Sequence, residues 1–252
     1  LVYPKIFSRD QLADARDNEG KISVAVLPFE NMSGDTLFNV WSGGFQNLLI
    51  STLSNSEEIS VRQYEAVTGA LENIEEVKYA SLTPVLAGEI ADKLDTRILV
   101  IGNIMKAGDR IRVNAQLLNA ETEEIYKTYQ VDGHAEDDLF AMADSLSELI
   151  RNFVEIRKIT EDENTPIYRG ITYRGSSEAF RYFIHGMNSL MAELDMQQAI
   201  QWFNRAIETD STFVTAYVLL SHAYSQAGNT RLSRYWCDAA YAKREQLPMA
   251  DR

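Results

Sequence analysis

The chain has 252 residues, 45% of them hydrophobic, which suits one large domain or two ordinary ones. Its formal net charge of -13 is uneven: the residues before Ser176 carry 29 acidic against 17 basic side chains, those from Ser176 onward 8 against 7. So acidic a front part repels phosphate backbones and argues against nucleic-acid binding, while the sole cysteine, Cys237, excludes an intrachain disulfide.

No run of about 18 apolar residues is present to span a bilayer. The chain opens on Leu1, Val2, Tyr3, Pro4, Lys5, Ile6 and Phe7, apolar and aromatic with no initiator Met. These read either as the stub of a removed signal or membrane helix, or as an extended arm on the core. Asp10 to Gly20 is a polar lead-in, which makes residues 1–20 a leader.

The first strand is expected at Ser23 to Phe29, where Ile22, Val24, Val26 and Phe29 with Ala25 and Leu27 between them are apolar on both faces. An interior strand of a sheet needs that pattern. Pro28 ends the ladder for want of an N–H, and Asn31 to Asp35 is a turn. Leu37, Trp41, Phe45, Leu48, Leu49 and Thr52 then recur at helical spacing. Ile59, Val61 and Tyr64 alternate as a second strand, and residues 65–79 are acidic with little pattern. Thr83 as N-cap and Pro84 at the first helical position start a helix with Val85, Leu86, Ile90 and Leu94 on one face.

From Ile98 the pattern becomes β. An apolar run to Ile104, a tight turn at Ala107-Gly108-Asp109-Arg110, an alternating strand through Ile111, Val113, Ala115 and Leu117, a polar turn, and a strand through Ile125, Tyr126, Tyr129 and Val131 make a meander. A long amphipathic helix follows, with Leu139, Met142, Leu146, Leu149, Phe153 and Ile156 on its stripe. Its acidic start and its basic end, Arg157 and Lys158, both suit the helix dipole. Residues 21–158 thus read as an α/β domain, and 159–175, with Pro166, Gly170 and Gly175, as a linker.

Residues 176–252 repeat. Ala206 and Ala240 stand 34 positions apart, the period of the tetratricopeptide unit. Tyr182, Gly186, Ala199, Phe203 and Ala206 match its stations in the first copy; Tyr217, Leu220, Tyr224, Gly228 and Ala240 match in the second. Small residues at those stations let two helices approach closely. Ser221, Ser233 and Cys237 depart from the pattern, where Gly, Ala and Phe are usual, and Cys237 at a packing station is expected to be buried. Two repeats are fewer than a stable stack usually holds, so further repeats are expected on the helix from Leu232.

The front domain resembles a known family as well. Ser23-Val24-Ala25-Val26-Leu27-Pro28-Phe29-Glu30-Asn31-Met32-Ser33-Gly34-Asp35, Ile90-Ala91-Asp92-Lys93-Leu94, Gly102-Asn103-Ile104 and the run from Gly108 to Leu117 resemble the TolB amino-terminal-like domain, which often precedes tetratricopeptide repeats in bacterial membrane-anchored proteins. The resemblance implies a mixed five-stranded sheet with packed helices, outside the cytoplasm, and supplies no catalytic residues. Asp95 stands where Gly is usual, a place for a left-handed residue that Asp tolerates.

Chemistry-bearing patterns are sparse. His134 beside Glu136, Asp137 and Asp138 is better explained by a helix start than by a metal, and His185 and His222 occupy different repeat stations. Gly43-Gly44 lies near a helix start, but GxGxxG and GxxxxGK[ST] are absent. The expectation is therefore a noncatalytic fragment with no cofactor and no metal. Binding is the better class: the inner face of the first helix of each repeat makes a candidate peptide groove of Phe180, Phe183, Met187 and Leu190, then Thr215, Val218, His222 and Ser225. The Lys and Asn clamp for peptide carboxylates is missing. The functional expectation is an extracytoplasmic protein-interaction or sensory module of a membrane-anchored bacterial regulator. Its rivals are a soluble periplasmic scaffold of envelope assembly or transport, and the regulatory region of an enzyme such as a cyclase.

Overall fold

A computed structural model describes residues 12, 15–72, 84–122, 124–162, 173 and 175–246. The chain divides into two compact units, Leu1–Glu161 and Asp162–Arg252. The first is α/β and the second is all helical.

In the first unit, β1 (Ile22–Val26) is buried at every residue and lies between β3 (Ile59–Val61) and β4 (Ile98–Ala107), parallel to both. It is the interior strand that its doubly apolar pattern predicts. Ile22, Val24 and Val26 pack with Phe45, Leu49 and Leu53 of α1 (Asn39–Leu53) and Leu146 and Ile150 of α4 (Leu139–Asp162). Ala25 and Leu27 pack on the opposite side, with Val67 of α2 (Tyr64–Leu71) and Ile90 and Leu94 of α3 (Pro84–Leu94). Two helices on each face explain why the strand has no polar side.

The meander is formed by β4, β5 (Arg110–Asn119) and β6 (Ile125–Gly133), all antiparallel. Along β5 buried and half-buried residues alternate, with Ile111, Val113, Ala115 and Leu117 in the core. Gly108 turns the first hairpin at φ 63°. Asp95 precedes β4 at φ 46°, left-handed as read from its place in the sequence.

Several details differ from expectation. The sheet has six strands rather than five, because β2 (Glu30–Asn31) resumes parallel pairing with β4 beyond Pro28. Pro28 interrupts the ladder without ending it: Leu27 N–H donates to the Val100 carbonyl at 2.9 Å and Met32 N–H to that of Ile104 at 2.8 Å. Tyr64 begins α2 instead of ending a strand, since Val67, Ala70 and Leu71 at helical spacing pack with α3. The stripe of α4 runs through Leu146, Ile150 and Val154, all fully buried, and leaves Leu149 36% exposed. The expected stripe steps alternately by three and four residues, an average short of the 3.6-residue period, so its positions drift around the helix. Leu12 and Ala15, in the polar lead-in, belong to the core. Thr83, the expected N-cap, and residues 163–172 of the expected linker lie outside the described residues, and α4 extends to Asp162.

The helical unit holds α5 (Ser177–Met191), α6 (Met196–Thr209), α7 (Val214–Gln226) and α8 (Thr230–Ala242), joined by short connections. Three starts are capped by side chains: Ser176 accepts from Ala179 N–H, Asp195 from Gln198 N–H and Asn229 from Leu232 N–H.

Candidate functional site

The helices approach where the small residues allow it. Ala199 and Ala206 are fully buried, and a Cβ on Gly186 would lie 2.6 Å from the Phe203 ring. Two of the noted departures answer each other. Ser221 Oγ donates to the Ser233 carbonyl at 2.8 Å and sits 3.4 Å from Ser233 Oγ, so the two serines tie α7 to α8.

The eight groove candidates fall into two sets. Phe180 and Phe183 are fully buried, and Met187 and Leu190 nearly so. Phe183 meets Phe213 at 4.7 Å and Phe203 at 5.8 Å between ring centroids. On α7, Thr215 is half-buried, Val218 is 50% exposed, and His222 and Ser225 are exposed. His222 Nε2 lies 3.4 Å from Gln226 Nε2. The first set is interior packing, and the second is a reachable helix face of mixed polarity.

Sequence reasoning missed Tyr173, which stands in the expected linker. Its ring stacks on Phe213 at 3.7 Å and on Phe180 at 5.9 Å, and its hydroxyl donates to Asp210 Oδ2. Asp210 Oδ1 accepts from Thr212 N–H at 2.8 Å and from its hydroxyl at 2.6 Å. A Cβ on Gly175 would overlap both Asp210 and the Tyr173 hydroxyl. Burial pushes the Tyr173 phenol up, and the Asp210 charge adds to that. Burial also pushes the Asp210 carboxyl up, but the hydrogen bonds from Thr212 and Tyr173 override it and leave the group below its ordinary range. The aromatic residue nearest a helix-capping Ser was the available signal, and a Gly-flanked polar context hid it.

A carboxylate below its usual 3.8 contributes stability above that pH and loses it as pH falls through the lower folded value. Tyr173→Phe is therefore expected to lower the stability of the helical unit by about 1–2 kcal/mol at pH 7, the scale of a hydrogen bond to a charge. The gap to the parent should narrow below about pH 4. Urea unfolding followed through Trp202 and Trp236 at both pH values checks it.

The other chemical candidates are accounted for locally. Asp138 Oδ2 accepts the backbone N–H groups of His134 at 2.7 Å and Ala135 at 3.0 Å, and these bonds hold its carboxyl below the ordinary range. His185 lies 4.9 Å from Trp202, ring to ring. Among the described residues no three His, Cys, Asp or Glu side chains gather as a metal site. Gly43 and Gly44 lie within α1. Cys237 is exposed, contrary to its expected burial. Its counterpart on α6, Phe203, is fully buried, with α7 packed on that helix, whereas among the described residues only a short 3-10 turn, Arg244–Gln246, follows α8. No described helix is long and apolar enough to cross a membrane.

The chain matches no known family description. It is 26% identical over 203 residues to the protein named "Putative adenylate cyclase 3" from Rhizobium meliloti (strain 1021), a match covering 80% of this chain and 32% of that protein. The chain thus spans about a third of the length of the curated relative it matches. Among solved structures, it is similar to lipoprotein GNA1162 from Neisseria meningitidis (14% identity, 57% of this chain and 98% of that one, TM-score 0.39). The LpoB C-terminal domain from Salmonella enterica overlaps at 16% identity, 45% and 82% coverage and TM-score 0.36. TolB from Acinetobacter baumannii overlaps at 12% identity, 58% and 30% coverage and TM-score 0.35. Overlaps this loose assign neither an activity nor an address to the chain.

Proposed function

We propose that the chain is a noncatalytic protein-interaction or sensory module, displayed outside the cytoplasm by a longer, membrane-anchored bacterial regulator. One observation carries this reading: 80% of the chain matches only 32% of a longer protein, as expected of a module borne by a larger one. The resemblance of residues 21–153 to the TolB amino-terminal-like domain supports the extracytoplasmic side.

In this reading α5 to α8 are two tetratricopeptide repeats, with Gly186, Ala199 and Ala206 at the close-packing stations. The ligand is a protein or peptide. Thr215, Val218, His222 and Ser225 form the reachable wall of the groove, and Phe180, Phe183, Met187 and Leu190 its buried support. No cofactor or metal is required.

The relative's name favours a second reading, in which the module regulates a nucleotide cyclase domain elsewhere in the same protein. Both readings are tested in the full-length protein. Alkaline phosphatase and fluorescent-protein fusions after Arg252 report the side of the membrane, and cyclic-nucleotide output is compared between the parent and Val218→Asp. Active phosphatase with a membrane-bound product supports the first reading. A change in cyclic-nucleotide output supports the second. Fluorescence without phosphatase activity places the module in the cytoplasm and overturns the first, while a freely soluble periplasmic product points to the scaffold.

A further inference from the structure

Exposed apolar side chains gather at one place on the α/β unit. Leu37 is 69% exposed, Val40 73% and Phe140 58%. Leu37 lies in the turn entering α1, Val40 in its first turn, and Phe140 in the first turn of α4. Trp41 joins the two helices: its ring meets Phe140 edge-on at 5.1 Å, and its Nε1 donates to Glu136 Oε1 at 3.1 Å. Leu37 and Trp41 are one helical turn apart, which makes the surface continuous rather than a scatter of single residues.

The rim of this patch is acidic. Glu136 and Asp137 precede Phe140 by about a turn and Asp144 follows it by one, all three exposed. The nearby cation Lys106 is engaged, with Nζ 3.2 Å from Asp35 Oδ2 and 5.1 Å from the Phe38 ring centroid. Leu37, Val40 and Phe140 lie outside the core, which Phe38, Phe45, Leu139 and Met142 fill from the same helical segments, while Trp41 packs against its edge.

We propose that this surface docks a basic amphipathic helix of a partner protein. Its apolar face would cover Val40, Trp41 and Phe140, and its Lys or Arg side chains would meet Asp137 and Asp144. Charge selects this occupant. An anionic lipid surface is repelled by the rim and by a chain of net charge -13. A second copy docked about a two-fold axis would bring each acidic rim against its twin. A basic helix satisfies both the apolar centre and the rim, and its approach is steered by the same field.

The probe is a fluorescein-labelled Leu/Lys amphipathic peptide of about 18 residues, roughly five helical turns, titrated with the whole chain at two salt concentrations. Hydrogen exchange locates the bound peptide. The expected result is protection over residues 36–47 and 136–145, with affinity about tenfold weaker in Val40→Asp with Phe140→Asp, the scale of a central interface anchor. Asp137→Asn with Asp144→Asn should flatten the salt dependence, and Val218→Asp on the helical unit should change nothing, which separates this surface from the proposed groove. Circular dichroism establishes that the variants are folded. Protection elsewhere, unchanged affinity in the Val40/Phe140 variant, patch-dependent dimers in sedimentation, or patch-dependent binding to anionic phosphatidylglycerol vesicles would each overturn the proposal.

Discussion

Phe203→Ala is expected to destabilise the helical unit by about 3–5 kcal/mol, the range for removing a buried aromatic side chain. The ring is fully buried, 5.8 Å from Phe183, and it covers Gly186 so closely that a Cβ there would lie 2.6 Å from it. A glycine cannot lean into the space that the ring vacates. The cavity therefore persists and its cost adds to the lost burial. Gly186→Ala should itself destabilise the parent by about 1–3 kcal/mol through overpacking, yet be nearly neutral in the Phe203→Ala background, where its methyl enters the vacated space. Urea unfolding read through Trp202 and Trp236, across the two single variants and the double, measures that coupling; additive effects would mean the two residues do not share the contact.

Gly102→Ala is expected to cost the α/β unit about 3 kcal/mol, the upper end of ordinary overpacking. A Cβ on Gly102 would lie 2.5 Å from Phe29 Cδ1 and 2.6 Å from the Asn114 carbonyl oxygen. The first neighbour is a ring stacked on Phe45 at 5.5 Å, and the second is backbone of β5 paired with β4. Moving the ring does not relieve the clash with the carbonyl. Shortening the ring by Phe29→Leu should therefore rescue Gly102→Ala only in part, unlike the Gly186 case, where a side chain alone stands in the way. Denaturant midpoints followed through Trp41 fluorescence check the ranking, and a Gly102→Ala midpoint equal to the parent's would show that the two strands can separate there at little cost.

The two glycines illustrate what a residue pattern conveys. Gly186 belongs to a repeat fingerprint, so its close approach to a neighbouring helix is legible from spacing. Gly102 sits in an apolar run, and only the placement of the Phe29 ring and the Asn114 carbonyl against it explains why no side chain fits. Of the candidate site, the position of the eight groove residues on α5 and α7 was legible, but not their division into a buried set and an exposed set. Helical periodicity tells which side chains share a face; it does not tell what lies over that face.

By itself the sequence determined the local alternatives. The β-branched, doubly apolar run at Ile22 to Val26 set an interior strand, and Gly108 the tight turn of the first hairpin. Tertiary structure decided the rest: the return of Glu30 and Asn31 to β4 beyond Pro28, the docking of Tyr173 on Phe213 and Asp210, the exposure of Cys237, and the meeting of Trp41 with Phe140. All but the exposure of Cys237 join residues far apart in the chain. Local sequence sets a segment's preferred conformation through short-range sterics and hydrogen bonds, whereas burial and long-range pairing depend on which other segment arrives to exclude water, and that partner is specified elsewhere in the chain.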